Sequence, residues 1–120
     1  MPNQSPSLDR VFHALSDPTR RAIVRRLSRG PASVSELARP FAMAMPSLLQ
    51  HLRVLEASSL IRSEKVGRVR TCEMRPAALS VAEGWLAERR ALWESRLDRM
   101  EAYVAALQRK EKKHGKRRTT

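Results

Sequence analysis

At 120 residues the chain has room for one domain with a modest core. Twenty-four Lys and Arg against twelve Asp and Glu leave a formal charge of +12, which points to a polyanionic partner, with nucleic acid the usual one. A single cysteine, Cys72, excludes an internal disulfide framework, and no run approaches the ~18 apolar residues of a membrane span. The opening MPNQSPSLDR lacks the basic and apolar regions of a signal peptide, so a cytoplasmic protein with no membrane attachment is expected.

Residues 1–7 read as a flexible tail and residues 8–107 as the folded domain. Leu8 to Leu15 places Leu8, Val11, Phe12 and Leu15 on one helical stripe, with Ser7 as a possible N-cap. Asp17-Pro18 restarts the chain with an N-capping residue and a proline suited to the first turn. The following TRRAIVRRLSR buries Ile23 and Leu27 with Ala22 and Val24 and shows Arg20, Arg21, Arg25, Arg26 and Arg29 elsewhere, and Gly30 in the left-handed position with Pro31 ends it. Ser33 and Glu36 have the spacing of a capping box, and Pro40 limits the third helix by pushing Arg39 out of the α region.

The stretch MPSLLQHLRVLEASSL, Met45 to Leu60, carries Leu48, Leu52 and Leu55 at i, i+4 and i+7. Gln50 falls almost opposite that stripe, with Ser47 and Arg53 beside it. An apolar back with Ser, Gln and Arg in front suits a helix that sits on a small core and enters a DNA major groove, where Gln pairs with adenine and Arg with guanine. Two short helices with a tight connection make a helix-turn-helix. The period then changes to two: Ile61–Val66 and Val69–Met74 read as strands around Gly67-Arg68. Lys65, Arg68 and Arg70 cluster near the tip of this hairpin, a wing suited to phosphate contacts or the minor groove.

Pro76 opens a long helix, roughly Ala77 to Lys110. Leu79, Leu86, Trp93, Met100 and Leu107 recur every seven residues, with Leu97 and Val104 between them and Arg90 interrupting the seam. So small a chain has little core left to cover this stripe, and a second copy of itself would cover it. Residues 108–120 are strongly basic and read as a disordered tail that raises nonspecific affinity for DNA.

These segments resemble the arsenic-repressor (ArsR-type) family of winged helix-turn-helix transcription factors. FHALSDPTRRAIVRRLSRG, SVSEL, PSLLQHLRVLEASSLI, EKVGRVR and WLAERRALWESRLDRMEAYV carry the likeness, from about Leu8 to Val104, and the last is similar to the branch often encoded beside small lipid-fold (SRPBCC) proteins. The fold class expected is mainly α with a small β-hairpin (α+β), a winged helix-turn-helix with a long C-terminal dimerisation helix. The resemblance implies a homodimeric repressor, often of its own promoter, on a palindromic double-stranded DNA operator. It assigns DNA contacts to Ser47, Leu49, Gln50, His51 and Arg53 and to the wing residues Lys65, Arg68 and Arg70. It assigns dimerisation to the first and last helices, hence to Leu8, Val11, Phe12, Leu86, Trp93, Leu97, Met100 and Val104. Arg20 in DPTRR matches the family pattern, either as a phosphate contact or as a support of the fold.

Two departures from the family stand out. Ala44 and Leu49 occupy positions where relatives commonly have Ser, which makes the reading face less polar. Metal-responsive members carry Cys-x-Cys before the recognition helix or Asp/His sets in the last helix, and here SELARPF has no cysteine and Ala77 to Lys110 no histidine. Cys72, His13, His51 and His114 are isolated in sequence, so no metal and no cofactor is expected. Phosphate loops, nucleophile elbows and paired catalytic carboxylates are missing, which argues against an enzyme. Two rival readings stand beside the repressor: the same fold responding to oxidation at Cys72 or to a small molecule, and a basic protein-interaction module that reads no DNA sequence.

Overall fold

The computed structural model describes residues 6–118. Its elements run α1 (Pro6–Leu15), α2 (Pro18–Leu27), β1 (Ala32–Ser33), α3 (Val34–Ala38), α4 (Met45–Ala57), β2 (Ile61–Val66), β3 (Val69–Met74) and α5 (Pro76–Arg118). Contacts divide the chain into two units between Glu83 and Gly84. The first unit holds α1 to α4, the sheet and the opening turns of α5. The second is the remainder of that helix.

In the first unit, the apolar stripes converge on one core. Leu8, Val11 and Ala14 of α1, Ile23 and Leu27 of α2, Leu37 of α3, and Leu48, Leu52 and Leu55 of α4 are all buried. Leu60, Ile61 and Cys72 close it from the sheet side. The three strands are antiparallel in the order β1-β3-β2, with Ala32 opposite Cys72 and Ser63 opposite Cys72 on the other edge. β1 is absent from the sequence reading because two residues carry no periodicity. It exists because β3 offers it a free edge.

Local chemistry explains the boundaries. Asp17 caps α2 by accepting the Arg20 N–H at 3.0 Å, and Pro18 occupies the first turn. Ser33 Oγ accepts the Glu36 N–H at 3.1 Å, the N-cap half of the predicted capping box, while Glu36 Oε1 accepts from the Ser33 hydroxyl at 3.2 Å instead of from its backbone N–H. α4 ends in a Schellman turn: Leu60 N–H reaches Leu55 O at 3.2 Å and Ser59 N–H reaches Glu56 O at 2.9 Å. Ser59 takes the left-handed position there at φ 63°, where glycine is the usual residue.

Several boundaries differ from the sequence reading. α1 begins at Pro6, and the tail expected at residues 1–7 otherwise lies outside the described residues. α2 ends at Leu27, and Gly30 adopts φ 140°, outside the left-handed helical region expected of it. Arg39 keeps α-region angles (φ −50°, ψ −48°) despite the proline after it. The α3 helix still stops, because Pro40 has no N–H to extend the ladder, and Phe41 N–H closes the turn on Ala38 O at 3.1 Å. α5 runs to Arg118, eight residues past the expected end, through a Lys-, Glu- and Arg-rich stretch of good helix formers in which Gly115 is the one weak position.

In the second unit, Leu86, Trp93, Leu97, Met100 and Val104 are all exposed, Met100 by 62%. Arg89 lies over the Trp85 ring at 5.0 Å and Arg96 over Trp93 at 5.6 Å. Among the described residues, no helix is long and apolar enough to cross a membrane.

Candidate nucleic-acid interface

α4 is fixed from behind and open in front. Its buried Leu48, Leu52 and Leu55 hold it on the core, which leaves Ser47, Gln50 and Arg53 exposed on the opposite side. Gln50 Oε1 accepts from Arg53 Nη1 at 3.3 Å, so the two side chains that can read bases stand together. Leu49 is half-buried against the core and presents only part of its side chain. At the start of the helix Ala44 supplies no side-chain cap.

The wing meets this helix through the sheet's pleat. Lys65 and Arg70 are directly opposite in the β2–β3 register, so they share one face of the hairpin. Arg70 is two residues from buried Cys72, which makes that face the core side. Near the tip the core has ended, and both cations emerge beside the first turn of α4. Lys65, Arg68, Arg70 and Val69 from the wing, Met45 and Leu49 from α4, Ser33 at the end of β1 and Ser35 from α3 line one groove of about 440 Å³. Gly67 turns the hairpin at φ 63° and sets Arg68 at its tip.

Charge across the two faces of the hairpin is uneven. On the outer face, Arg62 pairs with Glu73 directly opposite. On the groove face, Lys65 stands opposite Arg70, and like charges in that relation destabilise a sheet. A phosphate between them removes the repulsion and adds two charge-assisted contacts. The groove therefore has the electrostatics of an anion site at the edge of α4.

Arg20 and His51 have a different place. Arg20 is 9% exposed; its Nε donates to Ala14 O at 2.8 Å and its Nη2 to His13 O at 3.1 Å. It thereby satisfies carbonyls at the end of α1 that have no intrahelical partner. Nη1 lies 3.1 Å from His51 Nδ1. Arginine only donates, so Nδ1 accepts and the ring proton sits on Nε2. Asp17 Oδ2 is 3.8 Å from the same nitrogen. Of the two roles left open for Arg20, the geometry selects support of the fold. His51 is likewise drawn to the α2–α4 contact, with its side chain 22% exposed. The carboxyl of Asp17 is held below its usual range, chiefly by the Arg20 backbone N–H and also by the neighbouring Arg20 charge.

The residues assigned to dimerisation fall into two groups. Leu8 and Val11 are buried in the chain's own core and Phe12 is half-buried against it, whereas Leu86, Trp93, Leu97, Met100 and Val104 are exposed. Cys72 is buried in β3, and burial, with Glu56 nearby, pushes its thiol above the ordinary range, the opposite of what a reactive thiolate requires. Among the described residues, no three His, Cys, Asp or Glu side chains come together where they could hold a metal ion. Met45 and Ser35 are groove residues that the sequence does not single out, and Ser33 is marked there only as a helix cap, because only the fold brings the start of α3 and the wing together.

Comparison with known proteins agrees with this geometry. Residues 15–64 match a family model described as a helix-turn-helix domain. The HTH-type transcriptional regulator Rv2034 of Mycobacterium tuberculosis is 43% identical over 74 residues, covering 62% of this chain and 69% of that protein. A crystal structure of an ArsR family transcriptional regulator is 56% identical, with a TM-score of 0.73, over 77% of this chain and 96% of the other. The chain belongs to the ArsR family of winged helix-turn-helix transcriptional regulators. It is a DNA-binding regulator and not an enzyme. The transcriptional repressor SdpR of Bacillus subtilis is 29% identical over 79 residues, 66% of this chain and 88% of that protein. The family's helix-turn-helix is α3 and α4 here, and the β2–β3 hairpin is its wing.

Proposed function

We propose that this ArsR-family regulator is a homodimeric repressor that occupies a palindromic operator without a bound metal. Gln50 and Arg53 read base edges in the major groove, with Ser47 beside them. Lys65, Arg68 and Arg70 hold the flanking phosphates. Leu49 meets a thymine methyl, and His51 contributes through its Nε2 proton while Arg20 holds the ring.

The observation that carries this reading is the groove shared by the wing cations and the first turn of α4. A cationic rim beside an exposed Gln–Arg pair is an arrangement for positioning on phosphates and reading bases at once. Dimerisation is supported by the exposed heptad of Leu86, Trp93, Leu97, Met100 and Val104, which nothing among the described residues covers. A two-fold dimer presents two identical reading helices, which matches a palindrome. Repression is supported by the likeness to SdpR.

The test is a fluorescence-anisotropy titration with the DNA immediately upstream of the gene against a shuffled duplex, at two salt concentrations. A specific site should win by roughly 10³-fold or more. Equal and steeply salt-dependent binding to both duplexes would leave only a basic surface and defeat the operator reading. Light scattering on the free protein must give twice the chain mass for the dimer to stand.

A further inference from the structure

We propose that a cleft between α1, the end of α4 and the start of α5 binds a small carboxylate with an apolar body. It lies wholly within the first unit and measures about 230 Å³. Arg10 of α1 and Arg75, the residue ahead of α5, line it from separate elements. Neither guanidinium is among the described ion pairs or hydrogen-bonded side chains, and no Asp or Glu lines the cleft. The α2–α3 cleft differs, because there Glu36 already pairs with Arg26 at 3.4 Å.

Two unneutralised guanidiniums facing one cavity call for an anion, and the planar fork of each matches a carboxylate. The rest of the lining decides the kind of anion. Ala57, Ala77 and Val81 give it an apolar wall, which a free phosphate or sulfate would leave unused. Its volume is below the ~300 Å³ at which drug-sized pockets begin, which excludes nucleotides and intact phospholipids. An acid of about ten non-hydrogen atoms, aromatic or short-chain aliphatic, fits both the charge and the space. The site also touches Ser59, directly after α4. Its occupant would therefore press on the end of the helix proposed to read DNA, although binding itself does not depend on that reading.

Isothermal titration of the full chain, without DNA, tests the site with benzoate and octanoate as probes and benzamide as the neutral counterpart of benzoate. At least one acid is expected to bind with a Kd between about 10 μM and 1 mM. Benzamide should bind about tenfold more weakly or not at all, and Arg10→Gln and Arg75→Gln should each weaken the acid by about tenfold or more. Both arginines are exposed, so unchanged urea midpoints should accompany those losses. Arg25→Gln, outside the cleft, removes the same charge from the chain and should leave binding unchanged. Absence of saturable binding by both acids, equal binding of benzamide, or an equal loss in Arg25→Gln would overturn the proposal.

Discussion

Replacing Arg20 should damage the fold before it touches DNA. The guanidinium is 9% exposed and makes contacts to Ala14 O, His13 O and His51 Nδ1 at 2.8, 3.1 and 3.1 Å. Hydrogen bonds from a charged donor contribute about 1.5–3 kcal/mol each, so three would sum to roughly 4.5–9 kcal/mol if nothing offset them. Two effects reduce that sum. Truncation returns no charge to a buried site, so the desolvation cost of the native guanidinium is recovered, and water entering the gap rehydrates some of the carbonyls. What remains for Arg20→Ala is a loss of about 3 kcal/mol, near the lower end of the range for breaking a buried charged network. With an m-value of about 1–3 kcal/mol/M, the urea midpoint should fall by roughly 1–3 M. Protomer concentration must be held fixed, because the proposed dimerisation would make stability concentration-dependent. Arg20→Lys should recover little, since one ammonium cannot span three acceptors that a planar fork reaches together. A loss below about 0.5 kcal/mol, the range of ordinary surface substitutions, together with a large fall in DNA affinity, would refute the structural role and return Arg20 to the phosphate backbone.

Removing the groove-face cations gives the complementary result. Arg68→Ala with Arg70→Ala should leave the urea midpoint nearly unchanged and flatten the dependence of log K on log salt by about 2, one unit per lost phosphate contact. Cys72 should resist a thiol reagent such as DTNB in the native protein and react at once in denaturant, because it is buried and its thiol is pushed upward; rapid native labelling would revive an oxidation-sensing role. Ser59→Gly should raise stability by about 0.5–1 kcal/mol in urea titration, since the left-handed φ of 63° costs a side-chain-bearing residue more than glycine. Asp17 gives an acid-side prediction. Its folded pKa is depressed, so its stabilising contribution is complete above the unfolded value near 4 and is lost as pH falls through the lower folded value. Wild type should therefore lose urea resistance across that interval more steeply than Asp17→Asn, and parallel curves would show that the capping carboxylate does not titrate as described.

Much of the architecture was legible because it rests on local rules. The stripe of Leu48, Leu52 and Leu55 fixes which side of α4 meets the core, and therefore which side shows Ser47, Gln50 and Arg53. Asp17-Pro18 and the Ser33–Glu36 box mark two helix starts, since each cap is made within four residues of chain. The hairpin around Gly67 and the heptad from Leu79 announce themselves by period. The basic balance and the ArsR-type segments point toward DNA from the sequence alone.

Other features depended on neighbours distant in sequence. β1 is a strand only because β3 pairs with it, and a two-residue segment has no pattern of its own. The roles of Arg20 and His51, thirty-one residues apart, became distinct from those of the exposed arginines and Gln50 when α2 packed on α4. Leu8 and Val11 share a helical stripe that suits either a partner or a core, and the packing of α1 on the first unit assigned them to the core. The pairing of Lys65 with Arg70 over the start of α4 likewise required the register of the hairpin. Sequence by itself determined which faces of each element are apolar and which are charged, because that follows from the periodicity of one segment. Tertiary structure alone decided which of those faces meet, because burial, partner and field belong to pairs of segments and exist only once the chain has folded.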